Sequence, residues 1–194
     1  IMYKLAKVGF SQSYTYFTWR NSKWEIMQYL NELSTGETSE YFRPNFWPNT
    51  PDILHEYLQY GGRSAFIIRL VLAATLSSNY GIYGPAYELC VSEGLSGTEE
   101  YKNSEKYEIK NWDRDKPGNI KNIVKKINKI RNKNPALQKT WNLEFTEVDN
   151  KEIIAYEIDS QKNLWQNEEF AYLFLFDGKV YVYKELFEGR KFVA

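Results

Sequence analysis

The sequence predicts an α/β fold with a parallel, barrel-like sheet followed by an all-β appendage, and three observations carry that reading. Helical and strand patterns alternate from Ile1 to Asn134, the rhythm of parallel strands joined by helices. The connection over residues 91–116 is polar and longer than an ordinary link, which marks it as a candidate active-site loop. From Trp141 onward the patterns are short strands, and Asp177-Gly178 is a hairpin turn signal between two of them.

Taken in order, Ile1, Met2, Leu5 and Val8 recur at helical spacing and Gly9 closes the pattern. The chain therefore opens on what reads as the tail of an amphipathic helix, with further chain expected ahead of it. Residues 11–19 alternate small polar with aromatic side chains and predict the first strand. Asn21 or Ser22 can cap the next helix, whose apolar positions are Trp24, Ile26, Tyr29, Leu30 and Leu33 before the Ser34-Thr35-Gly36 break. Residues 40–47 predict the second strand.

Thr50-Pro51-Asp52 predicts the start of the following helix, with Thr as N-cap, Pro at the first helical position and Asp in the first turn. That helix is expected to run to about Tyr60, break at Gly61-Gly62 and resume over residues 64–75. A third strand is expected over 79–83. Residues 119–132 form an amphipathic helix with Ile120, Ile123, Val124, Ile127 and Ile130 on one face, ended by Asn134-Pro135. The strands of the appendage are expected over 141–145, 152–158, 170–176 and 179–183.

Composition narrows the partners. Lys and Arg number 25 and Asp and Glu number 25, so no overall field favours nucleic acid or an anionic membrane. The 16 Tyr and 6 Trp suit carbohydrate rings, though the same residues fill cores. A single cysteine, Cys90, excludes an intrachain disulfide and fits a reducing, cytoplasmic setting. The most apolar stretch, residues 65–76, contains Arg69 and is too short to span a bilayer.

Five stretches, residues 10–21 (FSQSYTYFTWRN), 43–54 (RPNFWPNTPDIL), 56–63 (EYLQYGGR), 70–83 and 104–107 (SEKY), together resemble the bacterial α-1,4-glucan:maltose-1-phosphate maltosyltransferases, of the α-amylase-like glycoside hydrolase superfamily. The resemblance covers most of residues 1–156 and weakens after Ser160. It implies a TIM (β/α)8 barrel followed by a β-sandwich, with this chain supplying barrel strands six to eight over residues 1–138 and the start of the sandwich over 139–194. The missing N-terminal part of the barrel would then hold the nucleophilic aspartate and the acid/base glutamate, so the chain alone is expected to be an inactive fragment.

The resemblance further implies retaining transfer of maltosyl units from α-maltose 1-phosphate to the non-reducing end of α-1,4-glucans, with no organic cofactor or metal, in an enzyme that pairs as a homodimer. Asp52 matches the third carboxylate, a transition-state stabiliser. Lys106 and Tyr107 match positions that hold the non-reducing sugar of the donor. Asn49, beside Asp52, either contacts substrate or holds the strand-to-helix turn. Each has a plainer reading: Thr-Pro-Asp makes a good helix start, and Lys106 and Tyr107 can be a solvated lysine beside a packing tyrosine. His55, the single histidine, has no His or Cys nearby in sequence and reads as structural. Two alternatives remain open, another hydrolase or transglycosylase of the superfamily and a non-catalytic sugar-binding piece.

An incomplete barrel also carries a physical expectation. Three parallel strands leave an unpaired edge and an exposed apolar inner face.

Overall fold

The computed structural model of the protein describes residues 1–158 and the two strands Ala171–Phe176 and Lys179–Lys184. Helix α1 (Met2–Lys7) leads into strand β1 (Gln12–Tyr14) and a 3₁₀ turn (Tyr16–Trp19). Helix α2 (Lys23–Thr35) starts at Ser22 through a reciprocal capping box: the Ser22 hydroxyl accepts from the Glu25 amide at 3.3 Å, and the Glu25 carboxylate accepts from the Ser22 amide at 3.0 Å. Ile26, Tyr29, Leu30 and Leu33 of the predicted apolar face are buried, while Trp24, expected with them, is exposed. Helix α3 (Thr38–Tyr41) and strand β2 (Arg43–Phe46) follow, then α4 (Glu56–Tyr60), α5 (Gly62–Thr75), β3 (Asn79–Tyr80), α6 (Gly84–Glu88) and α7 (Lys121–Lys133).

The strands β1, β2 and β3 form one parallel sheet in that order, with Tyr14 opposite Asn45 and Asn45 opposite Asn79. Pro44 and Phe46 are buried on one face, where Phe46 stacks on Phe17 with ring centroids 4.6 Å apart. Helix α5 is apolar nearly all round and correspondingly buried. Among the described residues Arg69 within it has no carboxylate partner; its guanidinium lies over the Phe17 ring and donates to the carbonyls of Phe17 and Arg20 at 2.5 and 2.7 Å. Those two bonds pin the 3₁₀ turn against the helix.

The all-β part begins with the antiparallel pair β4 (Leu143–Thr146) and β5 (Ala155–Ile158). It docks on the α/β part through buried Tyr156, whose hydroxyl lies 2.6 Å from the Thr75 hydroxyl at the end of α5. Strands β6 (Ala171–Phe176) and β7 (Lys179–Lys184) are also antiparallel; the Asp177-Gly178 turn expected between them lies outside the described residues.

The main order of helices and strands agrees with the expectation, apart from two short helices it did not contain, α3 and α6; among the boundaries that differ, four have a clear local cause. The first strand stops at Tyr14, because Thr15 turns the chain by accepting from the Phe17 amide at 3.4 Å. Residues 38–41 are helical, not strand, with the Ser39 hydroxyl on the Gly36 carbonyl at 2.7 Å. The third strand ends at Tyr80, since the Tyr83 amide is taken by the Asn49 side chain at 2.8 Å. Thr50-Pro51-Asp52 does not open a helix: helix α4 begins later, with His55 as N-cap accepting from the Tyr57 amide at 3.1 Å.

The sheet is open on the side away from the helices. That face carries Gln12, Tyr14, Arg43, Asn45, Trp47 and Asn79, a mixed polar and aromatic surface in place of the expected apolar one. Tyr14 is its exposed apolar member at 58% exposure, packed 5.3 Å from the Trp47 ring.

Candidate functional site

In a parallel sheet every strand delivers its following loop to the same end, where barrel enzymes gather their chemistry. Asp52 lies in the loop after β2. Thr50 and Ile53 exchange two backbone hydrogen bonds of 3.1 and 3.3 Å, which throws Pro51 and Asp52 outward as the tip of a tight turn. The buried Thr50 hydroxyl donates to Asp52 Oδ1 at 3.0 Å and fixes the carboxylate's rotamer, while Asp52 itself is exposed. A helix start at Thr50 is excluded by this use of its hydroxyl and by the Leu54 amide, which donates to the Glu99 carbonyl of the long loop.

Asn49 is fully buried, at 0% exposure. Its Oδ1 accepts from the Tyr83 amide at 2.8 Å, and its Nδ2 donates to the Tyr101 hydroxyl at 2.7 Å. One side chain thereby joins the loops after β2 and β3 to the long loop. Of the two readings open for Asn49, this geometry is that of a residue holding the turn. Trp47 closes the near side: a Cβ on Gly81 would come within 2.5 Å of its ring, so a glycine is needed where the loop after β3 crosses it.

The long loop does not wave free; it is stitched across the strand ends. The Glu99 carboxylate accepts from Trp19 Nε1 at 2.9 and 3.1 Å, with His55 Nε2 3.8 Å from it. Gln59 donates to the Leu54 and Thr98 carbonyls at 2.8 and 3.0 Å. Further on, the Glu105 carboxylate accepts from both the Tyr83 hydroxyl and Trp112 Nε1. Those bonds hold the Glu105 carboxyl below its usual range, and burial together with Glu105 pushes the Tyr83 phenol up.

Lys106 and Tyr107 sit on the turn that follows Tyr101. Both side chains are exposed. The Lys106 ammonium is 5.2 Å from the Tyr107 ring centroid and 3.4 Å from the Glu100 carboxylate; Tyr107 first and then Glu100 raise its pKa. Ser104 beneath them is buried and donates to the carbonyl of Pro51, the residue before Asp52, at 3.2 Å. The fold thus brings the turn of Asp52 and the turn of Lys106 and Tyr107 side by side, though they are more than 50 residues apart. An open depression of about 430 Å³ adjoins the second turn, lined by Glu105, Tyr107, Glu108, Ile109 and Lys110, and Asp52 is not among its walls.

Sequence reasoning passed over Tyr101 and Glu99, and read Trp19, in its alternating aromatic run, as more at home in the core than at the barrel mouth; the three together build the clamp. A tyrosine in a polar loop was the one available sign for Tyr101, which is 3% exposed.

No family model matches the chain. The α-1,4-glucan:maltose-1-phosphate maltosyltransferase of Chlorobaculum tepidum is 62% identical over 149 residues, covering 77% of this chain and 22% of the relative. The enzyme of the same name from Methylacidiphilum infernorum is 62% identical over 157 residues, 80% of this chain and 24% of that one. The α-1,4-glucan:maltose-1-phosphate maltosyltransferase 1 of Streptomyces coelicolor is 54% identical over 161 residues, 80% and 24%. The chain belongs to this maltosyltransferase family. It spans about a quarter of the length of the relatives it matches. A stretch of 149 residues in a chain of 194 contains residues 46–149 wherever it is placed, so the similarity to the Chlorobaculum maltosyltransferase includes Asn49, Asp52, Lys106 and Tyr107.

Proposed function

We propose that this chain forms part of an enzyme that transfers maltosyl units from α-maltose 1-phosphate to the non-reducing end of α-1,4-glucans. The transfer is retaining and proceeds in two steps. A carboxylate nucleophile first displaces phosphate from the anomeric carbon with help from an acid, and the glucan hydroxyl, deprotonated by the same group, then displaces the carboxylate. Both of those groups lie outside this chain. Asp52 contributes the third carboxylate, hydrogen-bonding ring hydroxyls of the reacting sugar as the ring flattens and gains positive charge.

Lys106 donates to hydroxyls of the second, non-reducing sugar, and Tyr107 adds a ring face or its own hydroxyl. Asn49 acts through the chain, keeping the Asp52 turn in place. In this reading residues 1–138 complete a barrel whose other strands come from elsewhere, residues 139–194 begin a sandwich-like domain, and the full enzyme is a cytoplasmic homodimer. Among the described residues no helix is long and apolar enough to cross a membrane.

The observation that carries the proposal is the high identity to maltosyltransferases across the stretch holding all four site residues. It is supported by the adjacency of the Asp52 and Lys106 turns, since a disaccharide donor requires its two rings to be gripped close together. The test is phosphate release from maltose 1-phosphate with a glucan acceptor, by the full-length protein carrying this segment and its Asp52→Asn variant. Unchanged turnover in the variant removes the role given to Asp52; release of reducing sugar from starch without phosphate would favour a hydrolase of the superfamily.

A further inference from the structure

Two turns carry the side chains assigned to the two sugar rings of the donor; Asn49 and Leu54 tie their loops together further back, and Ser104 bonds directly to both turns. Ser104 is 5% exposed. Its carbonyl accepts from the amides of Tyr107 and Glu108 at 2.9 and 3.2 Å, which closes the turn bearing Lys106 and Tyr107. Its hydroxyl accepts from the Lys106 amide at 3.1 Å and donates to the Pro51 carbonyl at 3.2 Å. A hydroxyl has one proton to give and lone pairs to receive, so it makes both bonds at once. Pro51 is bonded covalently to Asp52, whose own rotamer is held by Thr50.

By contrast, the tips of Lys106 and Tyr107 are exposed, and the 3.4 Å contact of Lys106 with Glu100 is of the solvated kind that orders a side chain weakly. The Ser104 hydroxyl, bonded to the backbone of both turns, holds the second turn more firmly than the exposed tips of Lys106 and Tyr107 do. We propose that Ser104 is a positioning residue that sets the spacing between the Asp52 carboxylate and the Lys106 and Tyr107 pair, and so makes the site measure a disaccharide donor. This rests on the placement of Asp52 and Lys106 proposed above.

A span-setting residue leaves a distinctive kinetic mark. A donor that fills only the reacting position meets Asp52 but not Lys106, so a shifted second turn costs it little; a two-ring donor loses its second grip. The experiment compares kcat/KM for α-maltosyl fluoride with that for α-glucosyl fluoride in the full-length protein carrying this segment. Ser104→Ala is expected to lower the maltosyl-to-glucosyl ratio by on the order of tenfold, within the roughly hundredfold that a 1 Å misplacement can cost. Ser104→Thr, which keeps the hydroxyl, is expected to restore most of it. Where the alanine variant does not fold, Ser104→Cys, which keeps the volume and weakens both bonds, is expected to lower the same ratio.

An unchanged ratio in a folded alanine or cysteine variant overturns the inference, whether both rates fall together or neither moves. Lys106→Ala separates the layers. If it lowers the ratio and the Ser104 variants do not, Ser104 alone is wrong; if it leaves the ratio unchanged, the assignment of Lys106 to the second ring fails and the Ser104 inference falls with it.

Discussion

Asp52 stands at the tip of a turn held by the Thr50–Ile53 backbone bonds and by Ser104 on the Pro51 carbonyl, with its carboxylate exposed. A carboxylate held in one rotamer by Thr50 loses little freedom on meeting a sugar, and its hydrogen bonds strengthen as the ring acquires charge. Replacing it by Asn keeps the shape and removes the charge. Asp52→Asn is therefore expected to lower kcat for phosphate release by on the order of 10²- to 10³-fold, with a much smaller change in KM. Asn49 behaves oppositely. Its truncation strands the Tyr83 amide and the Tyr101 hydroxyl in a buried site, so Asn49→Ala is expected to cost about 2 kcal/mol or more of stability, measured by urea denaturation. The sequence marked Asp52 and Asn49 together as neighbours in one motif. It could not divide their roles, because the division depends on Tyr83 and Tyr101, which lie 34 and 52 residues away from Asn49.

At the level of elements, long amphipathic patterns were legible and short transitions were not. Helices α2 and α7 declare themselves through apolar spacing and, for α2, the Ser22 and Glu25 capping pair. Thr50-Pro51-Asp52 has the same local grammar as a helix start, but the long loop takes the Leu54 amide and delays the helix to the residue after His55. His55 caps through Nδ1, which accepts from the Tyr57 amide and must be unprotonated to do so. Burial lowers its pKa below 6.5, with Glu99 opposing. A histidine whose folded pKa lies below its unfolded value binds fewer protons when folded, so its stabilising contribution is complete above about pH 6.5 and is lost as the pH falls through the folded pKa. Stability is expected to decline as the pH falls from about 6.5 through the folded pKa. His55→Asn, which can still cap, should flatten that part of the profile in urea denaturation at stepped pH; an identical slope in the variant would show that His55 does not titrate on unfolding.

For the molecule as a whole, the dominant physical fact is a parallel sheet of three strands among the described residues. Parallel sheets are ordinarily covered on both faces. Here α5 and its neighbours cover one, while the other presents Gln12, Tyr14 and Asn45, and among the described residues both β1 and β3 have an unpaired edge. The side-chain oxygen of Asn45 and the indole nitrogen of Trp47 are buried yet have no hydrogen-bond partner among the described residues. Such groups cost free energy until something pairs with them. The same open face is where a barrel enzyme's remaining strands would sit, and the two catalytic groups assigned outside this chain would arrive with them. On the proposed function, stability and activity are linked, since whatever satisfies the face would also complete the chemistry. The chain by itself is expected to associate or unfold at low denaturant, by sedimentation and urea titration, and to release no phosphate from maltose 1-phosphate. Supplying the complementary part of a family enzyme in trans should raise both the unfolding midpoint and the phosphate yield. A monomeric chain that unfolds cooperatively and turns over the donor unaided would contradict the open sheet as the source of instability and the assignment of nucleophile and acid to another part of the protein.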